Sequence, residues 1–288
     1  MASDQSPVQP AAMKKPDFFL RRVFSKGDVT TPDGQLDPQR YFSRYVLVHT
    51  HVAKTGGSSF VSGIRDIFGE DRVYDLRGGF PSPFKMPPER VRQIWCLSGH
   101  FWYDTQERAI ARRKRYIMNV RDPVDRFISL YNYVAASKSH PGYLKYGVLD
   151  IEDAFRYLKE HTPSAIANSI SVMFGDRVRT LRPRVPGRVV RPHRHVSFEE
   201  ARDAMEKNFA LVVPMARVND ALSGLGRTFG VDLPAPVHHN IGTKKVTALS
   251  EEVRQELREM NAVDLQLIAH FEAKFDEHLK NLPARLLG

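Results

Sequence analysis

The chain has 288 residues, 42% of them hydrophobic and 10% aromatic, enough to bury one substantial core around a large α/β domain. No stretch approaches the ~18 apolar residues of a membrane span, and the single cysteine, Cys96, excludes an intramolecular disulfide and reads as a buried structural thiol. The formal net charge of +10 attracts anions, nucleic acid among them, but no RNA-binding or helix-turn-helix signature accompanies it.

Residues 1–40, rich in Pro, Gln, Ser and Asp, read as a tail with little structure and no apolar core of signal-peptide type; one domain is expected over 41–288. Tyr45–Thr50 reads as a buried strand. It leads through His51, expected to orient the loop, into Lys54, Thr55, Gly56, Gly57, Ser58 and Ser59, with helical spacing over Ser58–Phe68. A strand, a Gly-rich turn with a lysine and a helix together build a phosphate cradle. The glycines admit close backbone approach, the helix N-terminus offers unpaired N–H groups, and Lys54 adds a full charge. Because Lys54 precedes the Gly-Gly pair, the segment is not a Walker A motif.

Val73–Leu76 is a short strand candidate and Gly78–Pro88, with four prolines, a loop. Ile94–Leu97 is a strand followed by SGHFWYD, with a short helical piece near Asp104–Ile110. Arg112, Arg113, Lys114 and Arg115 read as a solvated turn before the strand Tyr116–Val120. In RDPVDRFISLY, Asp122 can cap a helix over Val124–Ala136 and Pro123 suits its first turn. Arg121 then sits at a strand's carboxyl end, where open α/β sheets bind ligands, and Ser129 lies about two turns into the helix.

Lys138–Gly147 reads as a loop, and Ile151–His161 and Ser164–Phe174 as helices. Arg177–Arg194 holds seven arginines and no acid, either a solvated loop or a basic rim guiding an acidic substrate or a charged cofactor. Ser197 and Glu200 form a capping-box pair opening a helix over Phe198–Lys207. Leu211–Val213 is a strand, Val218–Phe229 a helix, and Ser250–Leu279 mostly helical, with Leu267, Phe271, Phe275 and Leu279 marking a buried face. Short strands alternating with helices predict a P-loop-like three-layer α/β sandwich, a central parallel sheet flanked by helices.

HVAKTGGSSF resembles the 5′-phosphosulfate loop H-x-P-K-T-G-G-[TS]-[ST] of sulfotransferases that use 3′-phosphoadenosine 5′-phosphosulfate. RDPVDRFISLY resembles their 3′-phosphate element, R-D-P-x-x-R-x-x-S-x-Y. SGHFWYD is similar to the strand end carrying the catalytic histidine, and HHNIGTKK, His238–Lys245, more loosely to a late nucleotide loop. The resemblance spans roughly Tyr45 to Lys245 and points to the carbohydrate branch containing heparan sulfate 2-O-sulfotransferase and its bacterial relatives. Ala53 stands where the pattern has proline, a change that removes no ligand-binding group.

The resemblance implies sulfuryl transfer from that nucleotide to a hydroxyl-bearing acceptor, a saccharide, without a metal. Lys54 would neutralise the leaving oxygen. Thr55, Gly56, Gly57, Ser58 and Ser59 would supply backbone and hydroxyl donors for the 5′-phosphosulfate. Arg121 and Ser129 would bind the 3′-phosphate, and Asn240 and Lys244 the nucleotide. His100 would be the base, with Asp104 and Glu107 as fallbacks. Arg121 could instead pair with Asp122 or Asp125, and Arg126 supports its helix. His193, His195, His238 and His239 lack a Cys or carboxylate at ligand spacing, so no metal site is expected. Without the Golgi anchor of eukaryotic relatives, a cytoplasmic location is expected. Two rivals remain: a kinase with a divergent phosphate loop, which needs a Walker A lysine and a magnesium ligand, and a non-catalytic polyanion binder using the arginine-rich loop.

Overall fold

The computed structural model describes residues 29–78, 81–174, 196–233 and 248–288. Among them are five strands, β1 Tyr45–Thr50, β2 Val73–Asp75, β3 Cys96–Gly99, β4 Arg113–Val120 and β5 Phe209–Pro214. All pair in parallel, in the order β2-β3-β1-β4-β5. The helices among the described residues are α1 Pro38–Arg44, α2 Gly57–Phe68, α3 Pro88–Gln93, α4 Pro123–Ala136, α5 Ile151–His161, α6 Phe198–Asn208, α7 Val218–Phe229, α8 Glu251–Met260, α9 Ala262–Lys280 and α10 Leu282–Leu287.

Parallel strands need crossovers that cover both faces, so their residues are apolar on both sides. β1, in the middle, is buried at all six positions. Its alternation assigns the layers. Tyr45 and Leu47 join a core with α1, α2, α7 and α10, while Val46 and Val48 join one with α6 and α9. α4, α5 and α8 form a third cluster around Phe127 and Phe155. This is the expected α/β sandwich. The chain leaves β1 toward β2 and β3 on one side and reaches β4 and β5 on the other, so the sheet's carboxyl edge opens a crevice at β1.

Three expectations need correction, and one is refined. The packed body begins before residue 41: Val29 and Leu36 are buried, and Asp37 caps α1 by accepting from the Arg40 N–H. The helix expected over Ser164–Phe174 is two 3₁₀ turns, Pro163–Ala165 and Ser171–Phe174. Between them Asn168 takes φ +41°, and the Ile170 and Ser171 N–H groups go to the Asp264 carboxylate of α9, so long-range hydrogen bonds override local propensity. Ser250–Leu279 is mostly helical as expected, with one break at Asn261, whose side-chain amide donates to the Ile166 and Leu257 carbonyls.

The third correction concerns the basic cluster, which is structural rather than a solvated turn. Arg112 donates to the carbonyls of Phe42 (2.6 Å), Val91 (3.0 Å) and Ile94 (2.5 Å). Arg115 donates to the Leu286 and Leu287 carbonyls at the end of α10. A guanidinium carries enough donors to serve several carbonyls at once. Arg112→Met should therefore lower stability by about 1–3 kcal/mol, read as a lower urea midpoint at unchanged slope, because carbonyls lose their donors. An unchanged midpoint would contradict this role.

Candidate functional site

β1 ends in polar residues that are nonetheless buried. On the α2 face, His49 Nδ1 lies 2.9 Å from Ser98 Oγ of β3 and Nε2 lies 2.8 Å from Asn119 Oδ1 of β4. An amide oxygen only accepts, so Nε2–H donates to it and Nδ1 accepts the Ser98 hydroxyl. Burial drives the His49 pKa down to about 3, so the ring stays neutral. His51 stacks on it at 4.4 Å and 9° and meets the His100 ring at 4.5 Å. Burial, then the neighbouring His49, keeps His51 neutral as well. Both His51 ring nitrogens and Asn119 Nδ2 are buried without a hydrogen-bond partner.

The loop rests on this column. Lys54 (φ +73°) and Gly56 (φ +88°) are both left-handed, the region that favours glycine. At Gly57 the requirement is space: a Cβ there would fall 2.1 Å from His51 Nε2. The Thr55 hydroxyl is buried and donates to the Val52 carbonyl at 2.8 Å. It braces the turn, which ties its hydroxyl to the loop itself. α2 starts at Gly57 with no side-chain cap and no acid in its first turn. Its positive end is uncompensated, and Ser58 and Ser59 stand in that first turn with Ser58 exposed. Such a helix end, with glycines giving close backbone access, fits a phosphate-bearing nucleotide.

Three cations converge here. The Lys54 ammonium lies 4.1 Å from the Tyr133 ring centroid of α4. Arg121, directly after β4, donates from Nη1 to the Lys54 carbonyl at 3.3 Å, so the loop and the second motif meet. Asp122 accepts from the Val124 and Asp125 N–H groups as the cap of α4. Ser129 lies further along α4, partly buried. Sequence reasoning missed the third cation, Arg77, in the turn after β2. It grips the Asp75 carboxylate and donates to Ser58 Oγ at 3.0 Å. Its only local signal is an Asp-x-Arg pair closing a short strand.

His100 comes just after β3 and lines a cavity of about 350 Å³ with Phe84, Trp102, Thr105, Gln106 and Arg108. Its Nδ1 lies 3.0 Å from the His51 carbonyl. A carbonyl only accepts, so the proton sits on Nδ1 and the lone pair on Nε2. Partial burial pushes its pKa below the usual histidine value, helped by Arg77 and Lys54 and opposed by the His51 carbonyl and Asp75.

The fallback bases fare differently. Glu107 is fully buried and accepts from the Asp104 and Thr105 N–H groups and the Tyr116 hydroxyl, so it is a structural acid and not a base. Asp104 is paired with Arg108 at 2.6 Å. Arg126 is buried and donates to the Ala165 carbonyl and Ser169, a supporting role as expected. Burial pushes the Cys96 thiol up to about 12, too high for a nucleophile. Asn240, Lys244, His193, His195, His238, His239 and the arginines of 177–194 lie outside the described residues. Among the described residues no group of three or more His, Cys, Asp or Glu is arranged to hold a metal ion, and no helix is long and apolar enough to cross a membrane.

The family model described as the sulfotransferase family matches residues 39–208, more than half of the chain. The match covers Lys54, His100, Arg121 and Ser129 and ends before Asn240 and Lys244. No curated protein matches the chain.

The buried column makes the fold acid-sensitive. His49 titrates near 6.5 when unfolded but near 3 when folded. Above about pH 6.5 it is neutral in both states. Below that only the unfolded chain binds the proton, so stability falls with pH by about 1.4 kcal/mol per unit until the folded value is reached. Urea midpoints measured between pH 7.5 and 5 should drop, and His49→Gln should make the dependence shallower by about that slope. An equally steep variant would refute the assignment.

Proposed function

The chain belongs to the sulfotransferase family and moves sulfuryl groups, and on that premise we propose that its donor is 3′-phosphoadenosine 5′-phosphosulfate and its acceptor a hydroxyl of a carbohydrate or glycosylated molecule, as in the branch containing heparan sulfate 2-O-sulfotransferase. One observation carries this reading: His100 stands in a cavity wall beside the phosphate loop, with Nδ1 committed to the His51 carbonyl and Nε2 left as its proton acceptor.

Sulfuryl transfer moves a neutral SO₃ unit from a phosphate to a hydroxyl, and the protein must align the two and neutralise the leaving oxygen. In this reading the first turn of α2, with Ser58 and Ser59, holds the 5′-phosphosulfate. Lys54, a compact charge on a flexible stem, tracks the oxygen from which the sulfur departs. Arg121 and Ser129 take the 3′-phosphate. Nε2 of His100 removes the acceptor's proton, and its lowered pKa keeps it neutral for that task at pH 7. Phe84 and Trp102 offer flat apolar surfaces to the C–H face of a sugar ring, while Thr105, Gln106 and Arg108 supply polar groups for its hydroxyls.

His100→Ala should lower the transfer rate by ~10²–10⁴ while leaving nucleotide affinity nearly intact. Lys54→Ala should cost ~10²–10³. The wild-type rate should hold through neutrality and fall only as pH drops below the ordinary histidine value of about 6.5. Retained turnover in either variant, or an acidic limb above pH 7, would overturn the assigned roles.

Arg121→Ala and Ser129→Ala should weaken binding of 3′-phosphoadenosine 5′-phosphate and barely change binding of its 3′-dephospho form, since each charge-assisted hydrogen bond is worth roughly 1.5–3 kcal/mol. Calorimetry with both nucleotides decides. Equal losses for the two would remove these residues from the 3′-phosphate.

A further inference from the structure

The side chain of Arg77 is only 24% exposed, and among the described residues its hydrogen bonds all lie at the site. Nε and Nη2 meet the two Asp75 oxygens at 2.9 and 2.6 Å, the forked geometry that fixes a guanidinium in orientation. Burial alone would raise the Asp75 pKa, but the bonds from Arg77 outweigh it and keep the carboxylate ionised. The remaining Nη1 reaches Ser58 Oγ at 3.0 Å. A guanidinium has donors and no acceptor, so in this contact the serine oxygen must accept. The lone hydrogen of the Ser58 hydroxyl is thereby left to donate elsewhere. Ser58 is exposed in the uncapped first turn of α2. Without Arg77 the hydroxyl is a free rotor that an approaching anion would have to order.

We infer that Arg77, clamped by Asp75, is a positioning residue that fixes the Ser58 hydroxyl as a hydrogen-bond donor to the 5′-phosphosulfate of the donor nucleotide. The inference rests on the proposed identity of that donor. It links two halves of the site. β2, which ends just before Arg77, lies beside β3, which ends just before His100, and β3 lies beside β1 and its loop. The groups that face His100 are Arg77 and Asp75 from the β2 side, Lys54 from the loop, the neutral His51 and His49 of the column, and the Arg108–Asp104 pair of the cavity. Removing the Arg77 cation leaves Asp75 unopposed there, which favours the protonated imidazole.

The test is a double-mutant cycle on binding of 3′-phosphoadenosine 5′-phosphate, with wild type, Ser58→Ala, Arg77→Met and the double variant in one calorimetric series. Each single change should weaken binding roughly tenfold or more, and the double variant should be no weaker than the worse single, because both remove the same contact. In the pH–rate profile, Arg77→Met should move the acidic limb to higher pH and Ser58→Ala should not. Should Arg77→Met fail to fold with Asp75 left alone, Asp75→Asn/Arg77→Met removes both charges and carries the same binding expectation. Effects that multiply in the cycle, wild-type affinity in the Arg77 variant, or an unmoved acidic limb would each overturn the inference while the donor reading stands. A wild-type chain that binds no such nucleotide would overturn both.

Discussion

A single neutral imidazole, buried at the carboxyl end of the central strand, fixes the geometry on which the site depends. His49 bonds at once to Ser98 on one neighbouring strand and Asn119 on the other. Three of the candidate functional groups lie a few residues beyond these three. His100 is two residues past Ser98, Lys54 is five past His49, and Arg121 is two past Asn119. In a low-dielectric interior such bonds are strong, and losing one partner strands the others. The row therefore sets the mutual registration of His100, the loop and Arg121, and the stacked His51 transmits it to Gly57 above and His100 beside.

The choice of neutral histidines under the loop has an electrostatic logic. The site gathers Lys54, Arg77 and Arg121 around a bare helix N-terminus, a field suited to an anion. A carboxylate in the floor would cancel it, and a cationic floor would push a base further from usefulness. Neutral rings do neither. They brace the loop sterically, while burial first and the nearby Arg77 and Lys54 second lower the His100 pKa. The cost is buried polar atoms without partners, two on His51 and one on Asn119.

What was legible in the sequence was local. Lys54–Ser59 and Arg121–Ser129 combine a strand, a turn and a helix start within about fifteen residues, and glycine, proline and aspartate mark the turns by their backbone chemistry. Val218–Phe229 is legible at both ends for the same reason, its amphipathic period ending at Gly230 in the left-handed conformation. What could not be read depends on partners far along the chain. His49 looks like any strand residue until β3 and β4 are in register with it. Arg112 and Arg115 look solvated until the carbonyls of α10 and of residues before β3 arrive. Ser164–Phe174 has helical spacing, yet its N–H groups are claimed by Asp264 from α9. Arg77 gains meaning only when α2 brings Ser58 over β2.

On the proposed reading, the loop after β1 receives a 3′-phosphorylated adenine nucleotide and not a metal–triphosphate complex. Thermal unfolding of the intact chain with 3′-phosphoadenosine 5′-phosphate, ATP–magnesium and heparin in parallel tests it most directly. A ligand bound only by the folded state stabilises it by about 2.7 kcal/mol at a hundredfold excess over Kd, enough to raise Tm by several degrees. That rise is expected with 3′-phosphoadenosine 5′-phosphate, and little change with ATP–magnesium at the same concentration. Stabilisation by ATP–magnesium, or by heparin alone, would contradict the claim.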